Sequence, residues 1–266
     1  MPDKITVRSV IVSGMGVFSD GYNLYSIALV TYTLVQLFNL NNAQEGLLVA
    51  ASYFGAAFSA LLFGVVSDVA GRKRMYGVDV LLMALGSVFQ AVSQNYTELL
   101  LSRFLVGMGV GADYVLSPII VAENVNPKRR GMAMILTFAF MWGLGAVVAA
   151  FVLQVTQLLG VADSLAWRIT LGLGAVPAIS VFLYRRKIAE TLFFLSRVKP
   201  EKEEVELVRK EFGIDVNVDP DTVPFAVRLR NSVVLIAVAS VLWLLYDVYS
   251  STFAIYGPIT IAYNLG

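Results

Sequence analysis

VGMGVGADYVLSPIIVAENVNPKRRG, residues 106–131, sets a single aspartate inside an apolar, glycine-dotted run and closes on a cluster of cations. An apolar run of this kind fits a helix crossing a bilayer, which needs roughly 20 mostly apolar residues. Asp113 falls well inside the run. A carboxylate at a helix centre costs about 2.5–3.5 kcal/mol on insertion scales and by default marks a functional site facing a bundle interior or cavity.

The same pattern repeats outward from this stretch. Apolar runs at 9–37, 46–67, 76–93, 99–122, 131–158, 166–185 and 231–262 predict seven spans. The composition agrees: 58% of the 266 residues are hydrophobic and 15% are charged, against roughly 25% charged in soluble domains. The fold class is therefore an all-α polytopic membrane protein. Three regions follow: a six-helix bundle over 1–185, a polar linker over 186–230, and the first helix of a second bundle over 231–266.

Charge placement predicts orientation. Of 20 Lys and Arg, 18 lie before span 1, between spans 2 and 3, between spans 4 and 5, or from Arg185 to Arg230, and only Arg103 and Arg168 fall elsewhere. Short loops rich in Lys and Arg face the cytoplasm, so the amino terminus and the 186–230 linker are expected there, with the linker partly helical around 201–211. Arg103 is expected to point into the bundle.

Several function classes drop out. A net charge of +1 offers no basis for nucleic-acid binding. The chain has no cysteine and no histidine, which removes thiolate and imidazole metal ligands and any nucleophile–histidine pair. No enzyme, metal or cofactor is expected, and the GxGxG series of span 4 lacks the preceding strand of a nucleotide fingerprint.

The polar groups inside spans are the candidate site. Asp20, Asp113 and Asp247 lie near the centres of spans 1, 4 and 7 and are expected to face one midplane cavity. Ser117 follows Asp113 by four residues and Trp243 precedes Asp247 by four, so each pair shares a helix face. Tyr22 and Asn23 extend the polar cluster around Asp20. A carboxyl held out of water is a candidate proton carrier. Gly107, Gly109, Gly111, Gly143 and Gly145 admit close helix contact.

Three stretches carry a family resemblance. GVVSDVAGRKR, with Gly64, Asp68, Gly71, Arg72, Lys73 and Arg74 in place, resembles the loop 2–3 signature of the major facilitator superfamily, although Val69 stands where a basic residue is usual. RFLVGMGVG resembles its span 4 motif. AWRITLGLGAVPA followed by RRKIAETLFFLSR resembles its span 6 region, with Glu190 kept and the prolines absent. GADYVLSPIIVAENVNPKRRG is most similar to the phosphate:proton symporter branch.

The resemblance implies alternating access between two six-helix halves, of which this chain supplies the first and the start of the second. It implies symport of phosphate and protons at the cell membrane, with Asp20, Asp113, Tyr114 and the WLLYD element around Trp243 and Asp247 at the site. Trp142 aligns where the branch uses a glutamine, Asn23 where it carries a second aspartate, and Ser251 where it carries a tyrosine. Asp68 and the cations 72–74, with Glu123, Arg129 and Arg130 in an equivalent cluster, would form a latch whose partners lie in the missing half. A proton-coupled sugar or organic-acid carrier is the alternative within the superfamily. A non-transporting sensor or an inert truncated product is the alternative outside it.

Overall fold

The computed structural model describes residues 4–185, 190–198, 201–213, 215–217 and 225–265, and every regular element among them is helical. The first spans are α1 (Lys4–Phe38), α2 (Asn42–Ala70), and a short turn α3 (Arg72–Met75) leading into α4 (Val78–Val92). α5 (Tyr96–Asn124) is the fourth. The fifth runs from α6 (Arg130–Met134) through a wider π turn at Ile135–Phe140 into α7 (Met141–Leu158). The sixth is broken at Leu173–Gly174 into α8 (Asp163–Gly172) and α9 (Ala175–Arg185). After Phe194–Val198 and α10 (Lys202–Phe212), α11 (Phe225–Ser251), a π turn at Thr252–Tyr256 and α12 (Gly257–Leu265) make the seventh.

Local chemistry sets several of these ends. Asn41 and Gln44 form a reciprocal capping box at the start of α2, with bonds of 2.9 and 3.0 Å, satisfying two N–H groups that the helix cannot pair internally. At its far end Gly71 takes φ 96°, a conformation that costs a side-chain-bearing residue dearly. Asn95 caps α5 by accepting from the Glu98 N–H at 3.0 Å.

Among the described residues, five helices are long and apolar enough to cross a membrane, at 42–68, 96–124, 130–158, 163–185 and 230–261. α4 has the same character over 15 residues. α1 reaches 35 residues but is more polar, because its inner face carries Ser13, Ser19, Asp20, Asn23, Ser26 and Thr31, all buried. It packs on α5, α7, α8 and α9, while α5 packs on α1, α2 and α4. These two helices make the centre of the bundle.

α5 can occupy that centre because it carries glycine on two sides, Gly107 and Gly111 toward α2 and Gly109 toward α4. A Cβ on Gly107 would sit 2.0 Å from the Ser52 carbonyl, one on Gly111 would sit 2.1 Å from that of Ala56, and one on Gly109 would sit 2.6 Å from that of Asp79. α2 and α4 therefore lie against α5 at backbone distance. Gly145 plays the same part for α7 on α1, where a Cβ would meet the Phe18 carbonyl at 2.2 Å, whereas Gly143 faces open space.

The seventh span differs from the rest. Leu235, Trp243, Tyr249 and Phe253 are all more than 60% exposed. Its hold on the bundle comes through α12, where Ile259 packs with Ala28 and Val49, Tyr263 donates to Glu45 Oε2 at 3.1 Å, and the Tyr263 ring meets Tyr32 edge-on. The expected helix around 201–211 is α10.

Gly111→Val should lower the melting temperature in detergent by the equivalent of about 1–3 kcal/mol, the usual cost of overpacking. Gly143→Ala should leave it unchanged or raise it slightly, since alanine is the better helix former. A thermal unfolding scan of both variants checks the pair.

Candidate functional site

The buried centre of the bundle is a charge cluster with more carboxyls than cations. Arg185, the last residue of α9, turns back into the protein and is 1% exposed. Its Nη1 bonds Asp79 Oδ2 from α4, and its Nη2 bonds Asp113 Oδ1 from α5 at 2.6 Å. The guanidinium lies over the Tyr76 ring, 3.7 Å from its centre, a stacking that favours arginine over lysine. The Tyr76 hydroxyl is bonded to Ser13 at 2.7 Å and lies 3.0 Å from Ser117, and Ser117 donates to Asp113 Oδ1 at 2.6 Å. Room for this arrangement exists because residue 16 is glycine: a Cβ there would sit 1.9 Å from Arg185 Nη2 and 2.6 Å from Asp113 Oδ2.

Asp20 completes the cluster. It is fully buried, and among the described residues no N–H or hydroxyl donor meets either of its oxygens or Asp113 Oδ2; its hydrogen-bonding neighbour is the Asp113 carboxyl. Asp20 lies within electrostatic reach of Asp113, Arg185 and Asp79. Three buried carboxyls thus share one guanidinium.

Around this cluster Tyr114 is 38% exposed and lies within reach of Asp20, Tyr53 and Asp247. Trp142 meets Tyr25 edge-on at 5.0 Å, and its buried indole N–H lies within hydrogen-bonding reach of Tyr114. Asp20, Tyr114 and Trp142 therefore present one face of α1, α5 and α7, carrying both donors and a carboxyl.

Tyr22 and Asn23 lie elsewhere. Tyr22 donates to the Thr170 carbonyl at 2.8 Å. Asn23 donates to the Ser19 and Gly174 carbonyls and accepts from Ser87 at 2.8 Å, so its amide is spent on tying α1 to α4 and to the break between α8 and α9. Trp243 is 64% exposed on α11, and Asp247 is only partly covered. Of the three aspartates expected at one cavity, Asp20 and Asp113 lie together with Asp79 added, while Asp247 on α11 is partly covered and lies within electrostatic reach of Tyr114.

Arg103 does point inward. It is fully buried, donating to the Asn23 carbonyl at 2.9 Å, Gln90 Oε1 at 3.3 Å and Ser52 Oγ at 2.5 Å. Asp79 and Arg185 were missed by the sequence reading: the first lies one turn inside its run, and the second was counted among the linker cations by its position.

At the basic end a second network forms. Arg72 pairs with Asp68 at 3.0 Å and Glu123 at 3.5 Å and lies over the Phe194 ring. Glu190 accepts from the backbone N–H groups of Arg72 and Lys73 at 3.1 Å and of Thr191 at 2.9 Å. Gly71 permits this approach, since a Cβ there would meet Glu190 Oε2 at 2.6 Å. Lys73 pairs with Glu204 of α10, and Leu195 and Val208 bury each other beneath that contact. Asp68 thus finds its partner within its own motif. Arg129 and Arg130 are exposed, Gly64 is half-buried, and the Arg74 side chain lies outside the described residues.

The comparisons with known proteins bear on this geometry. The family model described as "Sugar (and other) transporter" matches residues 9–225. The chain belongs to that family. It is 32% identical over 227 residues to the repressible high-affinity phosphate permease of Neurospora crassa, covering 74% of this chain and 40% of the permease. It is 32% identical over 258 residues to the probable inorganic phosphate transporter 1-12 of Oryza sativa subsp. japonica, covering 84% of this chain and 48% of that protein. The chain therefore spans less than half the length of these transporter relatives.

Among solved structures it resembles the major facilitator proton:xylose symporter XylE bound to 6-bromo-6-deoxy-D-glucose, with TM-score 0.70 and 21% identity over 77% of this chain and 49% of that one. It also resembles the peptide transporter POT in complex with sulfate, with TM-score 0.57 and 19% identity over 94% of this chain and 46% of that one. The fold of this multi-pass membrane protein is thus one half of a major facilitator fold with the start of the other.

Burial pushes the Glu190 carboxyl above the usual carboxylate range, against the pull of the three N–H groups and the Arg72 guanidinium. A folded-state value above the unfolded one means that the contribution of Glu190 is fullest at acid pH and declines as pH rises through the folded value. Melting temperatures of the wild type and Glu190→Gln, measured across the carboxylate range, should diverge as pH rises, with the variant showing the flatter profile.

Proposed function

We propose that this chain forms the first half of a proton-coupled carrier of inorganic phosphate that works by alternating access, with its basic end and the 186–230 linker in the cytoplasm and its spans in the cell membrane. The observation that carries this reading is Asp20: a fully buried carboxyl that no N–H or hydroxyl donor meets among the described residues, and whose hydrogen-bonding neighbour is the Asp113 carboxyl. The names of the relatives, a phosphate permease and an inorganic phosphate transporter, supply the substrate.

The coupling follows from charge. An anion arriving about 4 Å from an ionised carboxylate meets a repulsion of about 4 kcal/mol at an effective dielectric near 20, equivalent to roughly a thousandfold in affinity. A carboxylic acid at the same place donates a hydrogen bond to a phosphate oxygen instead. Phosphate then binds with its proton already on the protein, and the two cross together. Tyr114 and the Trp142 indole N–H supply further donors on the same face, and Ser117 orients Asp113. Asp247 would close the site from the second half. Asp68, Glu123 and the cations at the basic end would hold the two halves together on the cytoplasmic side.

The test uses the full-length protein in proteoliposomes with radiolabelled phosphate. Asp113→Asn keeps size and hydrogen bonding but removes the titratable group, so gradient-driven uptake should fall to background while phosphate exchange persists, exchange needing no net proton movement. Asp20→Asn should behave alike. Full gradient-driven uptake by the Asp113→Asn protein would remove its proton role. Absence of phosphate flux in the unmodified protein, with flux of a sugar or organic acid, would move the assignment to that substrate.

A further inference from the structure

Lys73 and Arg185 also border a crevice between the start of α4 and the end of α9. It holds about 260 Å³ and is lined by Lys73, Tyr76, Val78, Leu81, Phe182 and Arg185. One wall is cationic. Arg185 gives Nη1 to Asp79 and Nη2 to Asp113, but its Nε, on a fully buried side chain, meets no acceptor among the described residues. A buried N–H left without an acceptor is costly, so this one calls for an oxygen from outside the chain. The Lys73 ammonium has three donors, of which one goes to Glu204. α4 starts at Val78 with no side-chain cap, and the first turn of a helix favours an anion. The crevice is bounded in sequence by Arg72-Lys73-Arg74 and by Arg185-Arg186-Lys187.

The other wall is apolar and reaches the outside of the bundle. Val78 and Leu81 are each 38% exposed, and Leu85, Val88 and Val92 continue the same exposed face of α4, one above the other at helical spacing. α9 carries Val176, Ile179 and Leu183 exposed in the same rhythm. The start of the second half is seated elsewhere, with α12 on α1 and its Ile259 against Ala28 and Val49.

A cationic recess at the end of an apolar helix face fits an amphiphile with an anionic head. We propose that this crevice is a site for an anionic phospholipid, whose phosphate accepts from the Arg185 Nε–H and the Lys73 ammonium while one acyl chain lies along Leu81, Leu85 and Val88. Basic pockets between membrane-spanning helices are suited to phosphate-bearing head groups. A free phosphate ion would meet the same donors and leave the apolar wall uncovered, so the lipid is the occupant that matches both walls. The site needs only that the bundle lies in a bilayer, and it stands whatever substrate the protein carries.

The test uses the full-length protein in detergent, exposed to an equimolar mixture of dioleoyl phosphatidylglycerol and dioleoyl phosphatidylcholine, with bound lipid read by native mass spectrometry. Phosphatidylglycerol should be retained about fivefold or more over phosphatidylcholine, the order that one cation contributes at an anionic membrane surface, and Lys73→Gln should remove most of that preference. Because Lys73 also holds α10, Leu81→Trp serves as an independent variant: it fills the crevice from an exposed position, alters no charge, and should lower phosphatidylglycerol retention by a similar factor. A phosphatidylglycerol with a photoreactive acyl chain should label peptides of α4 and α9. Equal retention of the two lipids, an unchanged preference in either variant, or labelling confined to other helices would overturn the site. Millimolar inorganic phosphate should leave the bound phosphatidylglycerol in place, and its displacement would assign the crevice to a free anion and overturn the lipid.

Discussion

The guanidinium of Arg185 between Asp79 and Asp113 is the contact on which the rest of the bundle is arranged. It joins α9, α4 and α5 at full burial, and α1 closes over it through a residue with no side chain, Gly16. Deleting one partner of such a pair typically costs about 3–5 kcal/mol because a buried charge is left alone. Replacing the whole pair by apolar groups often costs nothing. The cluster is thus a poor way to gain stability, and its persistence in an apolar bundle needs another reason.

That reason lies in the mismatch of charge. A purely structural network would match cations to carboxyls and leave no oxygen bare, as the basic end nearly does: Glu190 is met by three backbone N–H groups, and Arg72 by Asp68, Glu123 and the Ser67 carbonyl. In the central cluster no N–H or hydroxyl donor among the described residues meets Asp20 or Asp113 Oδ2, and the two carboxyls face one another. An unsatisfied carboxyl in low dielectric is costly, and the arrangement becomes economical only with a proton or a donor-bearing ligand present. The basic end leaves Arg72 Nε and Glu123 Oε2 without partners, whereas the middle sets three carboxyls around one guanidinium.

Much of this was legible in the sequence. The seven apolar runs fall on helices because hydropathy and length are the dominant constraints on a span, and Asp20, Asp113 and Arg103 stood out because a charge inside such a run is costly. The glycines of span 4 were readable as contacts, and only the structure separates Gly107, Gly109 and Gly111, which meet backbone, from Gly143, which meets nothing. Arg185 and Asp79 were not legible by the same rule. Each sits near the end of its run, where a charge is cheap and ordinarily faces water. What position along the chain cannot show is direction: a long side chain at a helix end can reach inward as readily as outward. For Trp243 and Asp247, a polar group at a helix centre marks a face but says nothing of which helix lies against it.

Asn23 shows how the same logic extends to a neutral residue. Its amide is saturated by Ser19, Gly174 and Ser87, and its backbone carbonyl accepts from Arg103. Arg103 is thereby met by a carbonyl, an amide and a hydroxyl, with no carboxylate among its hydrogen-bond partners within the described residues. Arg185, in contrast, is met by two carboxylates. The bundle thus holds two buried guanidinia of different kinds: one fixed by neutral acceptors whose charge no proton can alter, and one held by carboxylates whose charge a proton can remove. Only the second has partners whose charge a proton would change, and it is the one placed beside Asp20.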